Sequence, residues 1–180
     1  MFRSLYSIVD PLLQARETGV LRIRHAYGGA GKLFLRNGRV EGVEASGLYR
    51  DPAVRELVTW VTFSTAFTPV DFITDSQTVH LGTAGLLALL GRVEKAVKEI
   101  AKVIPGNEAI FQTVAGGLRG ERSFTREELQ IALSLDGTAP VRRIVAESDL
   151  TELTVLHTIK KFFDTGLIKK IPAAEVLIPA

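Results

Sequence analysis

Cysteine is absent from this chain of 180 residues. That excludes disulfides, thiolate metal ligands and cysteine nucleophiles together, and it fits a reducing compartment. Long apolar runs are missing too. The longest, residues 86–90, falls far short of the ~20 residues that a membrane-spanning helix needs. Neither sign of charge dominates: 22 Lys and Arg stand against 20 Asp and Glu, a net charge of +2. No strong field therefore draws the chain to nucleic acid or anionic lipid. The N-terminus lacks the apolar core of a secretion signal, because Arg3 leads into an amphipathic run interrupted by Asp10-Pro11. A cytoplasmic protein with no membrane contact is the expectation. With 46% hydrophobic and 23% charged residues, the chain can bury one sizeable core or two small ones.

What is present is clearest in residues 18–45, which read as three consecutive strands. Val20-Leu-Arg-Ile-Arg24 alternates, with Leu21 and Ile23 facing in and Arg22 and Arg24 facing out. The turn Gly28-Gly29-Ala30-Gly31 precedes a second alternating run, Lys32 to Arg36. Asn37-Gly38 then signals a type I′ hairpin, which needs positive φ at both central residues, and a third strand starts at Arg39.

Around this meander lie helical patterns. Leu5, Ile8, Val9, Leu12 and Leu13 predict an amphipathic segment over residues 4–16 that restarts at Pro11. Asp51-Pro52 predicts a second helix, with Asp51 as its N-cap and Val54, Leu57, Val58 and Val61 inward beside Trp60. Residues 62–70 alternate and return as a further strand ended by Pro69. Residues 85–104 carry the longest helix. Leu86, Leu90, Val93, Val97, Ile100 and Ile104 follow steps of 4-3-4-3-4, a pattern that suits a homodimer seam. Leu87, Leu89, Ala96 and Val103 broaden the stripe towards packing within the chain. Residues 109–114 suggest a short strand and residues 115–122 a linker. Beyond it come three helices, over residues 123–135, 140–147 and 151–164, the last with Leu153, Leu156, Ile159, Phe162 and Phe163 inward. Asp136-Gly137 predicts a turn, Gly166 a helix stop, and residues 167–171 a strand. The expected class is α+β: an antiparallel sheet with packed helices, a long central helix and a C-terminal winged helix. The expected domains are 1–80, 81–118 and 119–180.

Thr18-Gly19-Val20-Leu21, Phe34 with Gly38-Arg39-Val40, and Leu57-x-x-Trp60 together resemble the PATAN domain, a family of bacterial signalling proteins. One departure is the missing glycine between Trp60 and the aromatic strand. Leu135-Asp136-Gly137-Thr138, Ile144-Val145, Leu150 with Val155-Leu156, and Phe162 to Ile168 look like the winged-helix tail that often follows such domains. The resemblance implies a non-enzymatic module that works through protein–protein contact, frequently beside receiver domains, which are absent here.

Chemical motifs are few. Gly28-Gly-Ala-Gly-Lys32 mimics a phosphate loop, but Leu33 stands where a Ser or Thr hydroxyl is required and strand alternation continues past it. Gly117-Leu-Arg-Gly120 imitates a nucleic-acid clamp without flanking helices. His25, His80 and His157 have no ligand partners at metal spacing, and no serine sits on a nucleophile elbow. No catalytic group, cofactor or metal is expected. The rival function is a DNA-binding winged-helix regulator, with helix 151–164 in the major groove and phosphate contacts from Arg142-Arg143, Lys160-Lys161 and Lys169-Lys170. From residue 119 onward, however, nine Lys and Arg meet nine Asp and Glu, and Asp149 and Glu152 open that helix. An adaptor binding an acidic protein surface through Arg22, Arg24, Lys32, Arg36 and Arg39 is therefore the favoured reading.

Overall fold

A computed structural model describes residues 2–71, 79–115 and 123–172, which form two compact units, residues 2–97 and 98–180. The class is α+β: the described residues hold six helices, a five-stranded antiparallel sheet and a three-stranded antiparallel sheet. The expected central segment, residues 81–118, is not a body of its own, because the unit boundary falls inside its helix.

In the first unit, helix α1 (Tyr6–Gln14) runs through Pro11 without restarting. An interior proline costs about 3 kcal/mol. Burying Val9 and Leu13 together with the flanking Leu5 gains roughly 1.5–3 kcal/mol for each side chain, so packing prevails. Strands β1 (Gly19–His25), β2 (Ala30–Arg36) and β3 (Arg39–Ala45) form the expected meander. Asn37 and Gly38 have φ of 48° and 72°, the positive pair that a type I′ turn requires. Ser46 and Gly47 repeat this geometry and lead into a two-residue strand, β4 (Leu48–Tyr49).

Helix α2 (Arg50–Leu57) follows at once, so Asp51 lies inside the helix and is not its N-cap. Its Oδ1 instead accepts the Leu81 N–H at 3.3 Å. Strand β5 (Phe63–Pro69) returns beside β1, giving the order β4-β3-β2-β1-β5. Leu21, Ile23, Leu33, Leu35, Val43 and Ala45 are buried on the inner face, with Ala53, Val54, Leu57 and Trp60. Helix α3 (Gly82–Val103) starts in this unit, where Ser4 donates to the Leu90 carbonyl and the Val40 N–H donates to Thr83 Oγ1.

All six seam positions on or just after this helix are buried, from 0% exposed at Ile100 and Ile104 to 8% at Val93. The stripe is covered by the chain itself and offers no exposed coiled-coil seam.

In the second unit, strand β6 (Ile110–Thr113) precedes helix α4 (Arg126–Ser134), strand β7 (Asp136–Pro140), helix α5 (Val141–Glu147), helix α6 (Glu152–Asp164) and strand β8 (Ile168–Ile171). Thr125 caps α4 with a full capping box to Glu128. The expected turn at Asp136-Gly137 is instead the start of β7. There the Asp136 carboxylate accepts the Thr138 and Ala139 N–H groups.

The sheet order is β7-β6-β8. The central strand thus comes from before the helices, and β8 pairs with β6. Phe111 on β6 is fully buried. On α6 the inward residues are Val155, Leu156, Ile159 and Phe162, while Phe163 is exposed and Leu153 only half-buried, a shift from the expected stripe. The glycine-rich link and its Gly117–Gly120 motif lie outside the described residues, apart from Ala115.

Candidate functional site

Strand alternation and register place the charged residues of the first sheet. Arg22 stands opposite Lys32 on one side and Ala66 on the other. Lys32 faces Glu44, and Glu44 faces Tyr49. One row of outward positions therefore crosses all five strands: Ala66, Arg22, Lys32, Glu44, Tyr49. The next row brings Ser64, Arg24 and Ala30 together.

Small side chains on β5 and the raised β4 turn leave a trough of about 480 Å³ over these rows. Leu48 and Tyr49, 43% and 47% exposed, form its apolar rim. Sequence reading missed both residues, although the Ser46-Gly47 dipeptide is a turn signal that could have revealed the extra hairpin.

The trough floor is cationic. Lys32 Nζ donates to Glu44 Oε2 at 3.0 Å, and Arg22 donates to Thr68 Oγ1 at 2.8 Å. Arg24 makes no side-chain hydrogen bond or ion pair among the described residues. The three cations share a single lining carboxylate, Glu44, which Lys32 already engages.

Arg36 and Arg39 lie elsewhere. They are opposite one another at the closed end of the β2–β3 hairpin and line a different cavity, with Arg16. Of the five expected contact residues, three converge and two do not. Lys32 and Arg36 are four residues apart on one strand, roughly 13 Å at strand rise, with Phe34 between them.

The glycine-lysine motif has a structural explanation. Gly31 sits within β2, where an added Cβ would lie 2.6 Å from Leu57 Cδ2 and 3.3 Å from the Trp60 ring. Trp60 stacks on His25 with centroids 4.9 Å apart and planes 5° apart, and its Nε1 donates to Glu56 Oε1 at 3.2 Å. His25 Nδ1 lies 3.0 Å from the Gly28 carbonyl. These glycines admit an aromatic packing layer behind the sheet.

In the second unit four of the six named cations are paired with carboxylates, while Lys169 and Lys170, exposed on β8, have no ion pair among the described residues. Arg142 contacts Glu108 at 3.1 Å and Arg143 contacts Glu147 at 2.8 Å. Lys160 pairs with Asp164 and Lys161 with Glu128. Asp149 is exposed just before α6, and Glu152 is buried in its first turn.

Among the described residues no group of three or more His, Asp or Glu lies close enough to hold a metal ion. Among them, too, no helix is long and apolar enough to cross a membrane. Comparison with protein-family models, with curated proteins and with solved structures finds no match.

Proposed function

We propose that this chain is a non-enzymatic adaptor of the bacterial signalling or scaffolding type, which binds an acidic protein surface through the outer face of its first sheet. The observation that carries this reading is the trough, where Arg22, Arg24 and Lys32 meet below the exposed Leu48 and Tyr49. Guanidinium forks bind carboxylates bidentately, and an exposed tyrosine beside them supplies the apolar area typical of interface cores. The one carboxylate lining the trough, Glu44, is paired with Lys32, which leaves Arg22 and Arg24 to meet the carboxylates of a partner. The likeness to PATAN modules points the same way.

Ion pairing in the second unit speaks against the DNA-binding reading. Four of the six cations that would touch phosphates hold carboxylate partners, so part of their charge is already neutralised. Exposed pairs are weak individually, but a phosphate brought to these cations also meets the neighbouring Glu108, Glu147, Asp164 and Glu128 carboxylates.

The test is capture of native partners by the wild-type chain and by Arg22→Glu/Arg24→Glu, with circular dichroism confirming equal folding. Partners retained by the wild type and lost from the variant support the sheet face. Unchanged recovery of every partner moves the contact to the second unit.

A further inference from the structure

Three arginines line one cavity at the closed end of the β2–β3 hairpin. Arg36 and Arg39 are directly opposite each other across the Asn37-Gly38 turn, and both are exposed. Like charges facing each other on a sheet repel and destabilise the pairing. The third group, Arg16, arrives from the end of α1. Its backbone packs so closely on the turn that a Cβ on Gly38 would lie 3.1 Å from the Arg16 Cα and 2.4 Å from the Leu13 carbonyl oxygen. Together these arginines line a cavity of about 720 Å³ whose one carboxylate is Glu41. That size is within the usual range for small-ligand sites.

The backbone of Arg16 is a second observation. Helix α1 ends with the Glu17 N–H donating to the Leu12 carbonyl and the Arg16 N–H to the Leu13 carbonyl. This is the Schellman arrangement, which places the residue after the C-cap in the left-handed region. Arg16 has φ of 55°. Helix α6 ends with the same two bonds, Leu167 to Phe162 and Gly166 to Phe163, and there the residue is Gly166, with φ of 70°. An arginine thus occupies a position where glycine has the lower energy.

The donors available for a ligand are side chains. The Gly38 N–H already donates to the Glu17 carbonyl and the Asn37 N–H to Thr18 Oγ1. Arg36 is already engaged, whereas Arg16 and Arg39 make no side-chain hydrogen bond or ion pair among the described residues. One planar fork satisfies one carboxylate, so the forks of Arg16 and Arg39, beside the charge of Arg36, exceed what a single carboxylate can use. A tetrahedral oxyanion with two or more charges can accept from several of them at once.

We propose that Arg16, Arg36 and Arg39 form a binding site for a phosphate-type oxyanion, distinct from the trough. Such an anion removes the repulsion between Arg36 and Arg39 and gives the strained Arg16 its partner. The phosphate chemistry could be presented free in solution or on a lipid headgroup, and the geometry, a concave site between the hairpin end and the end of α1, points to a free anion.

The experiment is an NMR titration of the full chain with inorganic diphosphate, following arginine Nε–H signals, with sodium chloride at matched ionic strength as reference. Saturable shifts are expected at Arg16, Arg36 and Arg39, and at the Asn37 and Gly38 amides. Arg16→Gly is expected to raise the melting temperature while weakening diphosphate binding about tenfold, the loss of one charge-assisted contact. Arg39→Gln weakens binding without that stabilisation, and Arg24→Gln leaves it unchanged. Shifts that merely follow ionic strength, or that appear instead at Arg22, Arg24 and Lys32, overturn the proposal. So does binding to phosphatidic-acid vesicles without any response to diphosphate, which would assign the arginines to a surface contact.

Discussion

Lys161 on α6 and Glu128 on α4, 33 residues apart in sequence, form an ion pair that joins the two helices. Glu128 also accepts the Thr125 N–H, closing the capping box of α4. The Lys161 ammonium, and then the Thr125 N–H, hold the Glu128 carboxyl below the usual glutamate range. The Thr138 and Ala139 N–H groups do the same for Asp136. A carboxylate whose folded pKa is depressed stabilises fully above its unfolded value, and that contribution is lost as pH falls through the folded value.

Acid titration is therefore expected to weaken the second unit progressively below about pH 4, where unfolded carboxyls begin to take up protons. Glu128→Gln keeps a capping-box acceptor and removes the charge. It is expected to flatten the acid limb of melting temperature against pH, while changing stability near neutrality by less than about 1 kcal/mol. An unchanged acid limb contradicts this.

The central position of β6 makes a prediction about fragments. Residues 119–180, the domain expected from sequence, lack the strand that joins β7 to β8. That fragment is expected to show the circular dichroism of an unfolded chain. In the full chain, Phe111→Ala removes a fully buried ring, at a cost of about 3–5 kcal/mol measurable by urea denaturation.

Burial of the α3 stripe replaces the expected dimer seam with a core. Leu90 is 1% exposed, so Leu90→Ala is expected to cost roughly 2–5 kcal/mol. The melting temperatures of wild type and variant are expected to be independent of protein concentration, unlike those of an obligate dimer. Light scattering is expected to give the monomer mass at micromolar concentration, and a dimer dissociated by the Leu90 substitution would refute this.

Two positive-φ positions predict opposite signs. Gly38 has φ of 72° and no room for a Cβ, so Gly38→Ala is expected to cost about 1–3 kcal/mol. Arg16→Gly relieves a left-handed arginine and is expected to gain about 1 kcal/mol. Thermal or urea unfolding of the two variants measures both.

DNA affinity is expected to be absent at physiological salt. A mobility-shift assay with random duplex DNA checks this, and submicromolar binding with a steep salt slope would reverse the ranking of functions.

Local physics made much of the fold legible in advance. Alternation identified β1, β2 and the outward Arg22 and Arg24. The Asn37-Gly38 dipeptide identified its turn, and the helix expected over residues 123–135 contains α4. Each of these signals rests on residues within a few positions of one another, where propensity and capping act.

What sequence left open depends on pairing between distant residues. Residues 109–114 read as a short strand, but only the folded chain places β6 between β7 and β8. The 4-3-4-3-4 stripe on α3 suits a partner helix and an internal core equally, because periodicity records which face is apolar and not what covers it. The four candidate arginines and one lysine share one sheet. Register then gathers Arg22, Arg24 and Lys32 under Tyr49, and separates Arg36 and Arg39 into a cavity with Arg16, a residue that no strand pattern connects to them. Sequence determined which side chains face solvent, through the two-residue repeat of a strand and the turn chemistry of its ends. Tertiary structure alone decided which of them meet, because cross-strand register and helix docking bring together residues whose local sequences carry no mutual signal.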